Sequence, residues 1–306
     1  MFRHLLRKQV RRIRQVWGDV DTWNPGELRH WLQHPLVQAR VHSKTAKGFQ
    51  GDRYGRFLDR YLKGNLPVER ALTLGCGRGE LERGLSKYGF ARIHEAVDIT
   101  ESAVRLAEQA AATESFNHIR YAVADLNTIQ LEPRAYDVIF GISSIHHVEE
   151  LEHLFDQTRE ALRPGGYLFL DEYIGPTRFQ WTEDQLKLMN EQLETLPTHL
   201  RRTVSEPARF KQSVERRSLE FMKQSDPSEA VRSSDIVPML SQHFQILEFM
   251  GYGGSLLHAL LFDIVGNFSE ENTGSLEHLK RLFDLEDSLI ESGRLSHDFA
   301  VIVATR

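Results

Sequence analysis

The chain has 306 residues, 41% hydrophobic and 26% charged, enough for a substantial core in one large domain with additions. A formal net charge of -5 gives no global case for nucleic-acid binding, and few aromatics interleave with the arginines, so an RNA or DNA partner is not expected. Cys76 is the only cysteine, which excludes an intrachain disulfide, and no apolar run reaches membrane-span length; both features fit a cytoplasmic protein.

In chain order, the first residues break the charge balance. Arg3, Arg7, Lys8, Arg11, Arg12 and Arg14 precede the first acid, Asp19, while Phe2, Leu5, Leu6, Val10, Ile13 and Trp17 recur at helical spacing. This pattern predicts a basic amphipathic helix. Such a helix either docks on the core with its charges in solvent or makes peripheral contact with an anionic membrane surface. Residues 23–51 read as further helices that cover the site described next. The helical segment 1–64 is therefore set apart from a domain spanning 65–306.

Residues 71–74 form a short apolar strand that runs into Gly75-Cys76-Gly77-Arg78-Gly79 and then a helical stretch from Glu80. Glycines in a strand-to-helix turn remove the Cβ atoms that would block a ligand, and the helix start offers unpaired N–H groups. A dinucleotide fingerprint needs Gly-x-Gly-x-x-Gly, but Glu80 takes its third glycine position, which argues against NAD. Cys76, inside the turn, reads as a small packed residue rather than a nucleophile. A second strand, 93–97, ends at Asp98, roughly 20 residues past the glycines, as suits an acid that grips ribose hydroxyls. A helix over 102–112 leads to a third strand, 118–124, ending at Asp125-Leu126. The fourth strand, 136–141, is followed by Ser143-Ser144-Ile145-His146-His147-Val148. An amphipathic helix over 150–162, a Pro164-Gly165-Gly166 break and a fifth strand over 167–170 run into Asp171-Glu172-Tyr173. Strands alternating with helices of this length specify an α/β fold with a doubly wound, mostly parallel sheet, whose ligand lies beyond the carboxyl ends of the strands. Asp98 or Asp125 taken alone reads equally well as a helix cap.

Taken together, the L-G-C-G-R-G turn, Asp98, Asp125-Leu126, the I-H-H-V stretch and L-R-P-G-G before the fifth strand make residues 72–173 resemble a class I S-adenosyl-L-methionine (SAM)-dependent methyltransferase of the seven-strand type. The resemblance implies SAM as cofactor and a seven-stranded sheet whose last strand is antiparallel. It implies that Gly75, Gly77 and Gly79 line the methionine and ribose side, with Thr73, Cys76, Ile99 and Ser143 also at the cofactor. Asp98 would bind the ribose diol, Asp125 would accept from the adenine amino group, and Leu126 would pack near the ring. Thr73 stands where the family often has an acid, so a hydroxyl acting through water would replace that contact. The implied function is methyl transfer, expected at an oxygen of a small molecule, glycan or lipid headgroup. The competing class is a catalytically silent SAM-fold scaffold that supports a partner enzyme.

Beyond Tyr173 two helical insertions, 176–226 and 252–296, flank the late strands on the substrate side. Thr182 and Gln185 form a capping box that opens a helix running to about residue 196. Ser225-Asp226-Pro227-Ser228-Glu229 opens a helix running to 243, the sixth strand is 244–249, and the seventh is 298–304. Between those strands lie an apolar helix, 256–268, and a more polar one, 275–291. A hydroxyl acceptor must lose its proton, and histidine suits that task. His147 is the first candidate for proton acceptor or acceptor-positioning residue, with Glu172 behind it; a histidine that only caps or packs is the bland alternative. His146, next to it, is expected to point elsewhere. His146, Tyr173, Arg178, Glu229, Arg232 and His258 are candidate substrate contacts. Arginine forks suit phosphate or carboxylate. Most arginines of the insertion read as a solvated face, and Arg232 is singled out as functional. No metal site is expected, and a homodimer is left open.

Overall fold

The computed structural model describes Arg12 and residues 27–306. The expected basic amphipathic helix lies outside the described residues except for Arg12, and so does the start of the 23–51 stretch. Helix α1 (Pro35–Ala46) opens with proline in the first turn, where no N–H is needed, and His34 caps it by accepting from Leu36 N. Helix α2 (Arg53–Tyr61) is capped by Asp52, which accepts from Gly55 N at 2.7 Å.

The central unit then runs through β1 (Val68–Leu74), α3 (Glu80–Ser86), β2 (Ala91–Asp98), α4 (Glu101–Thr113), β3 (Ile119–Val123), β4 (Tyr136–Ile142), α5 (Leu151–Ala161) and β5 (Leu162–Tyr173). It continues through α6 (Glu183–Thr195), α7 (Leu219–Ser225), α8 (Ile236–His243), β6 (Gln245–Gly253), α9 (Leu257–Leu261), α10 (Ser275–Glu291) and β7 (Phe299–Thr305). Among the described residues the strands form one seven-stranded sheet ordered β3-β2-β1-β4-β5-β7-β6. β7 is antiparallel to β5 and β6, and the remaining pairs are parallel, as the sequence predicts.

Alternation along the strands gives the sheet two apolar faces. Ala71, Val138, Phe140, Phe169, Val301 and Val303 pack into one core with Trp31, Phe57 and the insertion helices. Leu72, Leu74, Ile139, Leu168, Ile302 and Ala304 pack into a second core with Leu151, Phe155, Ile236 and Leu240. This is why the central strands read as continuous hydrophobic runs. No helix among the described residues is long and apolar enough to cross a membrane.

Four local readings need correction. β5 begins at Leu162, which pairs with Tyr136, and a register irregularity absorbs the Pro-Gly-Gly stretch that reads as a break. β6 runs on to Gly253, so the second insertion starts later than residue 252. The apolar helix over 256–268 is α9 followed by a 3-10 turn at Val265–Asn267, interrupted where Asp263 takes a φ of 62°. Residues 226–232 are turns rather than the opening of a helix, because the Arg178 guanidinium takes up the carbonyls of Asp226, Pro227 and Glu229 and Ala230 adopts a φ of 47°.

The second insertion hangs on Glu286 of α10, which is fully buried. Its Oε1 accepts from the backbone N–H groups of Gly254, Leu256 and Leu257 at 3.0, 2.9 and 3.1 Å, and its Oε2 accepts from Arg40 at 2.8 Å. Glu286→Ala leaves three buried N–H groups without their acceptor and Arg40 with only Asp287 and the Tyr252 carbonyl, and is expected to cost about 3–5 kcal/mol of stability. A lowered urea midpoint checks this; a midpoint equal to wild type would mean the insertion is held by apolar packing alone.

Candidate active site

The carboxyl ends of β1, β2, β3 and β4 border a cavity of about 740 Å³. That lies within the roughly 300–1,000 Å³ common for small-molecule and cofactor sites. Gly75 and Gly77 lie in its wall with φ of 74° and 52°, left-handed conformations that β-carbon-bearing residues avoid. A Cβ on Gly75 would stand 2.3 Å from Ser144 Cβ, so this glycine also lets the loop after β4 close on the turn. Gly79 caps α3 and does not line the cavity; a Cβ there would meet Tyr121 Oη at 2.3 Å. The third glycine therefore serves packing against β3, a correction to its expected place at the ligand.

Asp98 ends β2 and braces the glycine turn. Its Oδ2 accepts from Gly77 N at 3.0 Å and its Oδ1 from Thr100 N at 2.8 Å. Asp125 accepts through Oδ1 from Asn127 N and Nδ2, both at 2.9 Å. Asn127 Oδ1 in turn accepts from Glu149 N and Glu150 N at the start of α5. Thr73, Cys76, Ile99, Leu126 and Ser143 also line the cavity. The Thr73 hydroxyl is paired with His94 Nε2 at 3.0 Å. Burial pushes the Cys76 thiol well above its ordinary range, which leaves it an inert packing group.

Tyr54 of α2 closes one side. Arg53 is ion-paired with Asp171 at 2.5 Å, and Arg56 grips Glu248 with two N–H groups, so α2 is fixed to β5 and β6. Among the described residues the N-terminal contribution to the cavity is Tyr54 of α2. Trp31, expected among the covering helices, instead packs on Phe299 and Tyr252 with ring centroids 5.3 and 6.5 Å apart.

The 3-10 turn Ile145–His147 carries both histidines, with ring centroids 4.2 Å apart. His147 lines the cavity, and its Nδ1 lies 3.2 Å from Ser228 Oγ, which lines it too. Burial, and next the neighbouring His146, hold the His147 pKa well below its ordinary 6.5. His146 is not among the residues that border the cavity. Its Nδ1 donates to Glu172 Oε2 at 2.7 Å, and its Nε2 stands 3.8 Å from Glu229 Oε1. Burial favours the neutral His146 ring, but the Glu172 and Glu229 carboxylates outweigh it and raise the pKa. Burial raises the Glu229 carboxyl despite the nearby His146.

Glu172 has no exposure, and its Oε1 also accepts from Ser144 N and Ile145 N at 2.6 and 2.7 Å. It positions the histidine turn and does not reach the cavity, so its expected part as a base is corrected. Tyr173 donates its hydroxyl to Pro176 O at 3.0 Å, away from the cavity wall. Arg178 is spent on the carbonyls that shape residues 226–229, and is a loop builder rather than a substrate contact. Arg232 forms a two-pronged pair with Glu152 at 2.7 and 2.8 Å and bonds Asp235 at 2.9 Å. It ties α5 to the turn before α8, which removes the case for it as the functional arginine. His258 sits among the rings of Phe299, Phe179 and Tyr173 at 5.2, 5.4 and 5.9 Å and does not line the cavity.

Sequence reasoning missed Tyr54, Asn127, Ser144 and Ser228 in the wall. Asn127 left a trace, two residues after Asp125 in an Asx-turn pattern; Tyr54 and Ser228 reach the cavity only through long-range packing.

This sheet order, with a glycine turn after β1 and acids after β2 and β3, defines a class I SAM-dependent methyltransferase fold, and the chain carries such a domain. Residues 72–170 match the family described as a methyltransferase domain. The chain is similar to the 27-O-demethylrifamycin SV methyltransferase of Amycolatopsis mediterranei, 28% identical over 123 residues, which cover 39% of this chain and 44% of the relative. It is also similar to phosphoethanolamine N-methyltransferase 2 of Caenorhabditis elegans, 25% identical over 107 residues, 35% of this chain and 24% of the relative. The chain thus spans less than half the length of these curated relatives. A solved geranyl diphosphate C-methyltransferase from Streptomyces coelicolor, in complex with Mg2+, geranyl diphosphate and S-adenosyl-L-homocysteine, shares the fold. Its TM-score is 0.55 at 14% identity, with 97% of both chains covered. SAM is the cofactor of this domain class, and the residues fit it: the glycine backbone opens onto a cavity of cofactor size, flanked by two carboxylates.

Proposed function

We propose that the chain transfers a methyl group from SAM to an oxygen of a small molecule, a glycan or a lipid headgroup. One observation carries this reading. A single cavity is bordered by the glycine turn with Asp98 and Asp125 on the β2 and β3 side, and by His147 with Ser228 on the β4 side. Gly75, Gly77, Asp98, Asp125 and Leu126 would hold the cofactor. Bound SAM supplies a methyl group already made electrophilic by its sulfonium.

The protein's own task is alignment and exclusion of water, and proximity and orientation are worth about 7–11 kcal/mol. Tyr54, Leu81, Ile142 and Val148 supply apolar walls for that. His147 and Ser228 form the polar end that orients an acceptor hydroxyl, with His146 and Glu229 directly behind. This polar end favours oxygen as the acceptor atom, in keeping with the rifamycin relative's name; the other two relatives' names cover nitrogen and carbon.

The test is release of S-adenosylhomocysteine over paired panels of alcohols, phenols and amines, each also offered as phosphate or sugar conjugates. Turnover confined to hydroxyl acceptors is expected. Turnover of amines alone would move the acceptor atom to nitrogen. Silence on every panel and on cell extract, with SAM bound, would favour a scaffold subunit.

A further inference from the structure

The groups at and behind the polar end of the cavity come from two separate parts of the chain. His146 and His147 come from the turn after β4, and Glu229 from the irregular segment before α8. One ligand atom from each of these residues lies within 4.8 Å of the other two. We propose that His146, His147 and Glu229 bind a single divalent transition-metal ion, of the Zn2+ type, whose remaining coordination position faces the acceptor. The inference rests on the reading of this end of the cavity as the acceptor site, and goes against the sequence, which offers no ligand spacing.

The donor set is right for such an ion. Two imidazoles and a carboxylate leave one position of a tetrahedron open, the arrangement of catalytic rather than structural zinc. The hydrogen bonds behind the ligands are right as well. Ligating imidazoles commonly donate their second ring N–H to a carboxylate, which fixes tautomer and ring direction. His146 does this: Nδ1 donates to Glu172 at 2.7 Å, which directs Nε2 to the ion, 3.8 Å from Glu229 Oε1. Glu172 is itself locked by Ser144 N and Ile145 N. His147 is bonded through Nδ1 to Ser228 Oγ, and Asp226 Oδ1 accepts from Ser228 Oγ at 2.7 Å and from Ser228 N at 2.9 Å. Arg178, by gathering three carbonyls of residues 226–229, fixes the loop that presents the carboxylate.

The distances close with small movements. Ligands at about 2.0–2.1 Å from zinc stand roughly 3.3 Å from one another in a tetrahedron. The His146–Glu229 pair, at 3.8 Å, is near that spacing, and contracting the widest pair by at most about 1.5 Å completes the set. Of the three ligands His147 borders the cavity, with His146 and Glu229 behind it, so an acceptor in the cavity would approach the ion from the His147 side. A bound ion acts as a Lewis acid on an oxygen ligand and lowers its pKa, which serves a hydroxyl acceptor.

The experiment is titration of the chelator-treated full chain with Co2+, followed by visible absorption and calorimetry, and repeated with Zn2+ in competition. A single Co2+ per chain with tetrahedral-type d–d bands, displaced by Zn2+, is expected. Glu229→Gln and His147→Ala should each weaken Co2+ by at least about ten-fold, with binding of S-adenosylhomocysteine retained as the check on folding. A wild-type chain that binds S-adenosylhomocysteine but takes up no stoichiometric Co2+ or Zn2+ overturns the proposal. So does an affinity unchanged in both variants, which would put the ion elsewhere. Methyl transfer to hydroxyls by a metal-free chain would remove the metal and leave the proposed function standing. Metal uptake without SAM binding would do the reverse.

Discussion

His147→Ala is expected to lower turnover on the identified acceptor by about 10²- to 10⁴-fold, the span typical of a lost group at the reacting centre. SAM affinity should stay close to wild type. Several observations lead to this size. His147 is the histidine that borders the cavity, it sits on the β4 side away from Asp98 and Asp125, and its Nδ1 partner Ser228 shares the wall. Alanine removes the polar end and opens space, so the acceptor loses the group that orients it, directly or through a bound ion, and its alignment. The residual rate would come from holding cofactor and acceptor together. Single-turnover rates with calorimetry on the same variant separate the two effects. A rate equal to wild type would eliminate His147, and a matching loss of SAM affinity would place it at the cofactor instead.

Asp98→Ala is expected to weaken SAM by roughly 1.5–3 kcal/mol, the worth of a charge-assisted hydrogen bond, or about 10- to 150-fold in Kd. The carboxylate already accepts from Gly77 N and Thr100 N, so its removal loosens the glycine turn as well as deleting a contact to ribose hydroxyls. Asp98→Asn keeps one acceptor oxygen and should recover part of the loss. Calorimetry with S-adenosylhomocysteine measures both variants. Unchanged affinity in Asp98→Ala would show that Asp98 is only a turn brace.

The cofactor side of the site was legible because it is local. Each residue proposed for the cofactor sits at the end of the strand that positions it: Gly75 and Gly77 after β1, Asp98 as the last residue of β2, Asp125 after β3. Strand periodicity and turn chemistry carry such information without knowledge of the rest of the fold. The acceptor side is built from residues far apart in the chain, and there the reading failed in specific ways. His146 and Glu172 are joined across 26 residues, and Glu229 arrives on a segment whose helical pattern is overridden by Arg178. Arg232 looks like an anion-binding fork in sequence, and only the approach of Glu152 on α5 shows it to be a strut. Gly79 fits the motif but answers to Tyr121 on β3. In the sheet, β7 was clear as an apolar run, and β4 as the run that follows Asp137. The first residues of β5 were obscured because a bulge lets proline and glycine sit inside a paired strand.

The most direct measurement is calorimetric titration of the full chain with SAM, S-adenosylhomocysteine, NAD and NADP under one set of conditions. Both adenosyl-sulfur ligands should bind at a single site, with affinity lost in Asp98→Ala and kept in His147→Ala, and neither dinucleotide should bind. Binding of NAD or NADP, with no heat from SAM or S-adenosylhomocysteine, would contradict the assignment of the glycine turn and its two acids to a methyl-donor site.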